Sequence, residues 1–592
     1  MHPACSTTAD RTARRSALGL FALAAALALG GCTSAASWRE PTLLVGVAQP
    51  GIADGVAAQA TLRQAQALDR DGQERAVDLY YLAAVQAQQG LQPCLAGQEA
   101  ADGSPAQIYC QALSGLIDAG QRYGRLDPRR QLVVVEGGSR VVPIRYCGFA
   151  WRLDDFTRLT STEHMTSRDI AHHYASCGLG LPLVGERIAA CQDETFFQPW
   201  MPFAVTAVLR PAGDGSMPSG CGEQVLELYN PLAFDTVTWG GAACPLARDL
   251  TAPLAAIVNQ APRQYLRGFT APSDTSVRPQ LLLVEPYQRG KIPVIFIHGL
   301  YSDPITWVDM INELRAESDL YDRFQFWTFR YPTGGEVLES AAVLRQRLQL
   351  ARDTFDPEHT DPALDAMVLV GHSLGGLVSE MQVTTSYDLL WRAAAVQQFC
   401  ALRAGLALQE RLSKEFFYEP VPMITRVVFI GTPHQGSGLT RRLAGCIGND
   451  LVSFGTTEKE QYRQLIDQNR DVFKPSLQHH QPTSIDLLDP DSPFLQALAQ
   501  MPIRCTTHLH SIVGTGGICL TQPGDGVVPV SSARHCGDSE LMVPAKHEML
   551  HRDPVSIAEV ARILRLHAAE TDQAVAVGSI RQNKEIKGFK RW

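Results

Sequence analysis

The chain has 592 residues and a formal net charge of −9, with 45% hydrophobic, 7% aromatic and 19% charged residues. That length exceeds one ordinary domain, and the composition supplies ample core, which excludes a disordered or low-complexity protein. The mild acidity, with no basic stripe, argues against a nucleic-acid partner.

Arg11, Arg14 and Arg15 form a basic start, and residues 16–30 are almost wholly apolar, ending in Leu29-Gly30-Gly31-Cys32. The run is too short for a membrane-spanning helix and reads as a secretory signal over residues 1–31. Small residues ending in cysteine resemble the bacterial lipobox. That resemblance implies cleavage before Cys32, acylation of its thiol and a membrane partner through the lipid anchor. By resemblance to Gram-negative lipoprotein sorting, where an aspartate after the cysteine retains the protein in the inner membrane, Thr33 implies the outer membrane facing the periplasm. Setting aside Cys5 and Cys32 leaves an even number of the 14 cysteines, as an oxidising compartment favours. No Cys-x-x-Cys pair or metal-like spacing occurs, so neither a metal nor a cofactor is expected.

Residues 32–285 read as a mixed helical and β accessory module. Ala57 to Gln89 has helical spacing interrupted at Asp69-Arg70-Asp71-Gly72, which predicts a helix pair, and another helix is expected near Ile108 to Ala119. Strand-like runs follow at Leu132–Val135, Val141–Tyr146, Phe203–Arg210 and Val225–Tyr229. The module reads either as a stabilising cap or as a docking surface.

Residues 286–570 carry the chemistry. The dense apolar strand Ile292–Ile297 ends in His298-Gly299-Leu300-Tyr301. A second apolar run, Met367–Val370, leads into Gly371-His372-Ser373-Leu374-Gly375. A serine between two such glycines, at a sharp strand-to-helix turn, has its hydroxyl exposed as a nucleophile. The hydroxyl needs a base, and the base needs an acceptor that holds its tautomer. Downstream, the strand His508–Gly514 precedes Gly524-Asp525-Gly526-Val527-Val528-Pro529, an acid between glycines just past a strand. Leu541–Pro544 is then followed by Lys546-His547-Glu548. The order Ser373, Asp525, His547 is that of an α/β-hydrolase. His551 and His535 are rival bases, Asp538 is a rival acid, and His372 reads as a packing residue. The amides of Leu374 and Leu300 are the expected oxyanion donors.

Together with Gly431-Thr432-Pro433-His434-Gln435-Gly436-Ser437, these motifs resemble bacterial α/β-hydrolases of the lipase and serine-esterase kind, including uncharacterised α/β-hydrolase lipoproteins. The stretches Glu285–Tyr287, Phe326–Gly334 and Pro490–Leu495 share that look, and the resemblance runs from about Glu285 to about His567. It implies an α/β-hydrolase fold, a mostly parallel sheet flanked by helices, and hydrolysis through an acyl-serine without a cofactor. The expected substrate is a carboxylic ester, of a lipid-like acyl kind. An amidase, an acyltransferase and a non-catalytic envelope scaffold remain open alternatives.

Three further expectations concern loops. Residues 383–425 hold more chain than a plain connection needs, with Trp391, Phe399, Leu406, Phe416 and Phe417, and read as a lid or a fixed cap. Cys519 and Cys536 bracket the Asp525 loop, where a disulfide would stiffen it. Residues 571–592, with Arg581, Lys584, Lys587, Lys590 and Arg591, read as a basic tail without structure.

Overall fold

A computed structural model of the chain describes residues 52–588, apart from 92–102, 136–138, 164, 190–194, 213–222, 261–264, 275–277, 439–451, 453, 480 and 520. The signal segment, Cys32, Cys94, Cys191, Cys221, Cys446, Lys590 and Arg591 lie outside the described residues. Among the described residues no helix is long and apolar enough to cross a membrane.

The chain first forms three helices, α1 (Ile52–Arg70), α2 (Ala76–Gln88) and α3 (Pro105–Arg122). Gly72, at φ 72°, turns the chain between α1 and α2. Ser104 caps α3 by accepting a hydrogen bond from the Gln107 amide, with Pro105 in the first turn. The helices pack on a seven-stranded sheet of β1 (Leu126–Asp127), β2 (Gln131–Val134), β3 (Arg140–Cys147), β4 (Arg158–Ser161), β5 (Leu181–Ile188), β6 (Trp200–Pro211) and β7 (Gln224–Tyr229). Its spatial order is β1-β2-β3-β7-β6-β5-β4. Every neighbouring pair is antiparallel except β3 and β7. Two buried polar side chains in this half meet at one backbone position. Gln88 Nε2 and the Tyr109 hydroxyl both donate to the Leu209 carbonyl at 2.7 Å, and the hydroxyl also accepts from the Leu209 amide at 2.8 Å.

The second sheet contains β8 (Gln280–Leu283), β9 (Ile292–Ile297), β10 (Phe324–Arg330), β11 (Met367–His372), β12 (Ile424–Ile430), β13 (His508–Gly514) and β14 (Ser539–Val543). Its order is β8-β10-β9-β11-β12-β13-β14, parallel throughout except for the antiparallel edge strand β8. Helices cover both faces, which explains the dense apolar runs of β9 and of Met367–Val370 in β11. Ile295, Ile297, Leu369 and Val427 point into one core layer, and Val294, Phe296, Val368, Val370 and Val428 point into the other.

The domain boundary expected at residue 285 is corrected by β8, which already belongs to the second sheet. Three leucines in a four-residue strand are too short a run to announce a strand from sequence. The helix Ala252–Gln260 also contributes Leu254, Ala255 and Val258 to the core layer around Phe296. Polar clasps reinforce that junction. Asp309 accepts from the Ala171 amide at 2.8 Å and from Arg552 at 2.6 Å, and Arg552 also donates to the Asp169 carbonyl at 2.7 Å.

The C-terminal expectation also changes. One helix, Pro554–Gly588, runs through most of the segment expected to lack structure. Past Pro554 that segment contains no proline to stop it, and Ala, Gln, Arg and Lys favour helix. The insertion at 383–425 folds into short helices at Leu389–Ala394 and Leu406–Phe416. Trp391 is buried against the rings of Phe399, Phe416 and Phe473, at centroid distances of 4.9, 5.4 and 5.7 Å. Its outer side leaves Tyr387, Val396 and Leu406 exposed.

Candidate active site

Parallel strands end on the same rim, and in an open α/β sheet the loops at the carboxyl ends of the strands form the binding crevice. Ser373 stands on that rim, directly after β11 and before the helix α4 (Leu374–Glu380). Its backbone lies at φ 54°, ψ −124°, in the left-handed half of the map that a non-glycine residue occupies only under tertiary constraint. The constraint is visible: the Ser373 amide donates to the Ile430 carbonyl at the end of β12, 2.9 Å away.

His547 follows β14. Its Nε2 lies 2.9 Å from Ser373 Oγ, and its Nδ1 lies 2.7 Å from Asp525 Oδ2. A carboxylate only accepts, so Nδ1 carries the proton and Nε2 is left to accept from the serine hydroxyl. Asp525 is held from both sides. Oδ1 accepts from the amides of Val527 at 2.9 Å and Val528 at 2.6 Å, which leaves Oδ2 for the histidine. The His547 amide in turn donates to the Asp525 carbonyl at 3.0 Å. All three side chains are buried, with Asp525 1% exposed, so water competes little for these contacts.

Two glycines make room for this arrangement. Gly431 has φ 55°, and a Cβ there would come within 3.2 Å of Asp525 Oδ2 and 3.4 Å of His547 Nδ1. Gly299, in the loop after β9, lies so close that a Cβ would stand 2.9 Å from the Ser373 Cβ. That contact brings the His298–Tyr301 loop against the serine, with Leu300 next in the chain. The loop is pinned at its base: the Tyr331 hydroxyl donates to the His298 carbonyl at 2.8 Å, and the two rings stack at 4.5 Å. Burial lowers the His298 imidazole to about 4, so it stays neutral. The Leu374 amide opens α4, where the first-turn N–H groups have no partner inside the helix. Such a pair of amides beside a serine can stabilise a developing oxyanion.

The rivals stand elsewhere. The His551 Nε2 contacts the Thr306 hydroxyl at 2.6 Å, and burial beside Arg552 lowers its imidazole to about 3. Asp538 accepts from the Leu509 amide at 2.8 Å and contacts His508 at 3.1 Å. His535 packs against His434, with ring centres 4.7 Å apart. The disulfide considered across the Asp525 loop is absent, since Cys519 and Cys536 are both free thiols.

Sequence reasoning missed one residue at the site. His372 does more than pack: its Nε2 donates to the His547 carbonyl at 3.1 Å. Burial, with His551 and His547 nearby, holds its imidazole well below the ordinary value, so it remains neutral. Its place inside the Gly-x-Ser-x-Gly motif carries no signal for that contact.

A cavity of about 330 Å³ opens near the Leu300 loop, with Val452, Phe454, Tyr462 and Gln481 among its lining residues. Val452 and Phe454 belong to the apolar cluster in which Phe269 and Ile485 meet Leu300 and Tyr301.

No family model matches this chain, and no curated protein does. Solved structures do match. A Bacillus licheniformis lipase in its mature form is 17% identical, over 47% of this chain and 93% of the other, with a TM-score of 0.27. A structure of esterase B from Lactobacillus rhamnosis with a tributyrin phosphonate is 16% identical over 50% and 83%, with a TM-score of 0.28. An esterase from Thermogutta terrifontis with propionate bound is 11% identical over 50% and 88%, with a TM-score of 0.25.

Proposed function

We propose that the protein is a serine hydrolase of the α/β-hydrolase fold that cleaves carboxylic esters with lipid-like acyl groups. The observation that carries this reading is the contact chain from Ser373 Oγ through His547 to Asp525, at 2.9 and 2.7 Å, on a serine held at positive φ. In this mechanism Ser373 Oγ attacks the ester carbonyl carbon as His547 Nε2 takes its proton. Asp525 stabilises the imidazolium through Nδ1–H. The amides of Leu300 and Leu374 receive the negative charge on the carbonyl oxygen. The alcohol leaves with the proton returned by His547. Water, activated by the same nitrogen, then releases the acid and restores the serine.

The acyl preference draws support from the apolar cluster beside the Leu300 loop and from the exposed apolar side chains of the insertion. A fluorophosphonate probe tests the nucleophile: the parent protein should be labelled and Ser373→Ala should not, and equal labelling of both would defeat the reading. A panel of p-nitrophenyl esters of increasing chain length then reads the acyl preference, which the proposal places at the longer chains. The lipid anchor at Cys32, with residence in the cell envelope, belongs to the same reading and is motivated by Leu29-Gly30-Gly31-Cys32. Palmitate labelling should be lost in Cys32→Ser, and unchanged labelling would remove the anchor from the account.

A further inference from the structure

His547 is bonded by two residues that are neighbours in the chain. Ser373 Oγ lies 2.9 Å from its ring Nε2, and the His372 Nε2 donates to its backbone carbonyl at 3.1 Å. Consecutive side chains of an extended strand point to opposite faces, which separates their partners. Here the backbone turns at Ser373, with φ 54° and ψ −124°, directly after β11 ends at His372. The strained turn thereby completes a closed circuit of contacts. It runs from the serine through the peptide bond to His372, on to the His547 carbonyl, and back from the His547 imidazole to the serine hydroxyl.

His372 also stands where the loops of the site converge. It is 6% exposed, and its ring centre is 4.8 Å from that of His547 and 4.6 Å from that of His551. On another side, a Cβ at Gly299 would come within 3.1 Å of His372 Nδ1, so the His298–Tyr301 loop lies directly against the ring. The Leu550 amide also donates to the His547 carbonyl, from 3.4 Å, so the imidazole supplies the shorter bond. A carbonyl only accepts, so the proton of the neutral His372 ring is on Nε2. Because burial keeps that ring neutral, it places no charge against the imidazolium that forms on His547.

We propose that His372 is a positioning residue, which sets the base loop and the oxyanion loop at their distances from Ser373 and holds His547 through its Nε2–H. The inference rests on the ester-cleaving reading of the site and concerns kcat rather than substrate affinity. A base displaced by a fraction of an ångström from the hydroxyl transfers its proton less efficiently, whereas ester binding does not depend on that alignment. Two adjacent residues thus have separate parts: Ser373 supplies the nucleophile and His372 the alignment.

The test compares the full-length parent with His372→Leu and His372→Gln. Leucine is close to histidine in volume and has no donor, whereas the glutamine Nε2 can take the place of the imidazole Nε2–H. His372→Leu should lose about tenfold or more in kcat with KM close to the parent's, and His372→Gln should recover most of that loss. Melting temperatures are read alongside, since a merely structural role would make kcat follow stability and not the donor. The rate at which a fluorophosphonate labels Ser373 should fall in the same order. An unlabelled parent removes the ester-cleaving reading, and the role of His372 with it. With a labelled parent, a His372→Leu protein at full kcat, or a folded His372→Gln protein that loses about tenfold or more, overturns the role of His372 alone.

Discussion

The two sheets of this protein have the same number of strands and differ in direction, and that difference separates stability from chemistry. In the first sheet nearly every neighbour is antiparallel, so consecutive connections alternate between the two ends. Tyr109 and Gln88, buried beneath it, spend their hydrogen bonds internally on Leu209. In the second sheet the parallel strands β9, β11, β12, β13 and β14 all finish on one rim. His298, Ser373, Gly431, Asp525 and His547 follow those ends. A rim of this kind gathers groups that lie far apart in sequence and leaves their polar atoms pointing at one another.

Substitutions in the relay should have the strongest effect on turnover. Ser373→Ala and His547→Ala should each lower ester turnover by about 10⁴ or more, to nearly the same floor, and the double variant should fall no further, because members of a triad act as a unit. Asp525→Asn should retain slightly more. His551→Ala should remain active, and an inactive His551→Ala beside an active, folded His547→Ala would reassign the base.

Next in size is Gly431→Ala. An alanine at φ 55° is strained, and its Cβ would press on Leu550 Cδ2 at 3.0 Å and on Asp525 Oδ2 at 3.2 Å. Displacing a relay by a fraction of an ångström should lower kcat by about tenfold or more while circular dichroism stays unchanged.

Tyr109→Phe acts on the first sheet. It removes a hydroxyl that serves both the amide and the carbonyl of Leu209, so denaturant unfolding should report a loss of about 1–3 kcal/mol. Ester turnover by the remaining folded protein should match the parent, and a fall in kcat would mean that the first sheet takes part in catalysis.

Acid should act on the second sheet's neutral core. His298 and His567 are lowered to about 4 and His551 to about 3, chiefly by burial. Between pH 6.5 and these values the unfolded chain binds protons that the folded chain refuses, so stability is full above 6.5 and declines as pH falls through that window. Each such histidine contributes a slope of about 1.4 kcal/mol per pH unit. His567→Gln should flatten the slope by one such step in melting scans, and an unchanged slope would show that His567 is protonated in the folded state.

The smallest expected effect concerns the insertion. Trp391 and its ring neighbours fasten it to the body, and the Val396 amide donates to the Val472 carbonyl at 2.8 Å. A fixed cap should give smooth saturation as a long-chain ester passes from monomer to micelle. An abrupt rise at that transition would make it a lid.

What the sequence disclosed follows from the same contrast. Strands buried on both faces are written as apolar runs in β9, β11 and the Val427–Ile430 end of β12, and these are readable, as are the loop residues that follow their ends. The edge strand β8 offers only Leu281, Leu282 and Leu283, and its partner β10 is distant in sequence, so it stays hidden. The contact of His372 with the His547 carbonyl depends on the end of β11 meeting the loop after β14, and no local pattern encodes it. The continuation of the last helix past residue 571 was obscured by charge, which reads as solvated tail whether or not the backbone is helical.

The elbow at Ser373 also bears on how the protein folds. Its unusual backbone is secured from outside, by the Ile430 carbonyl, just as the Gly431 amide is secured by the Ile512 carbonyl at 2.9 Å. Those bonds exist only once β11, β12 and β13 stand side by side, and parallel pairing closes long loops before it returns any stabilisation. A chain that has collapsed without completing that pairing contains the serine but has no relay to activate it. Reactivity toward an active-site probe therefore reports the last, most non-local step of folding, and on refolding it should return after the bulk helical signal.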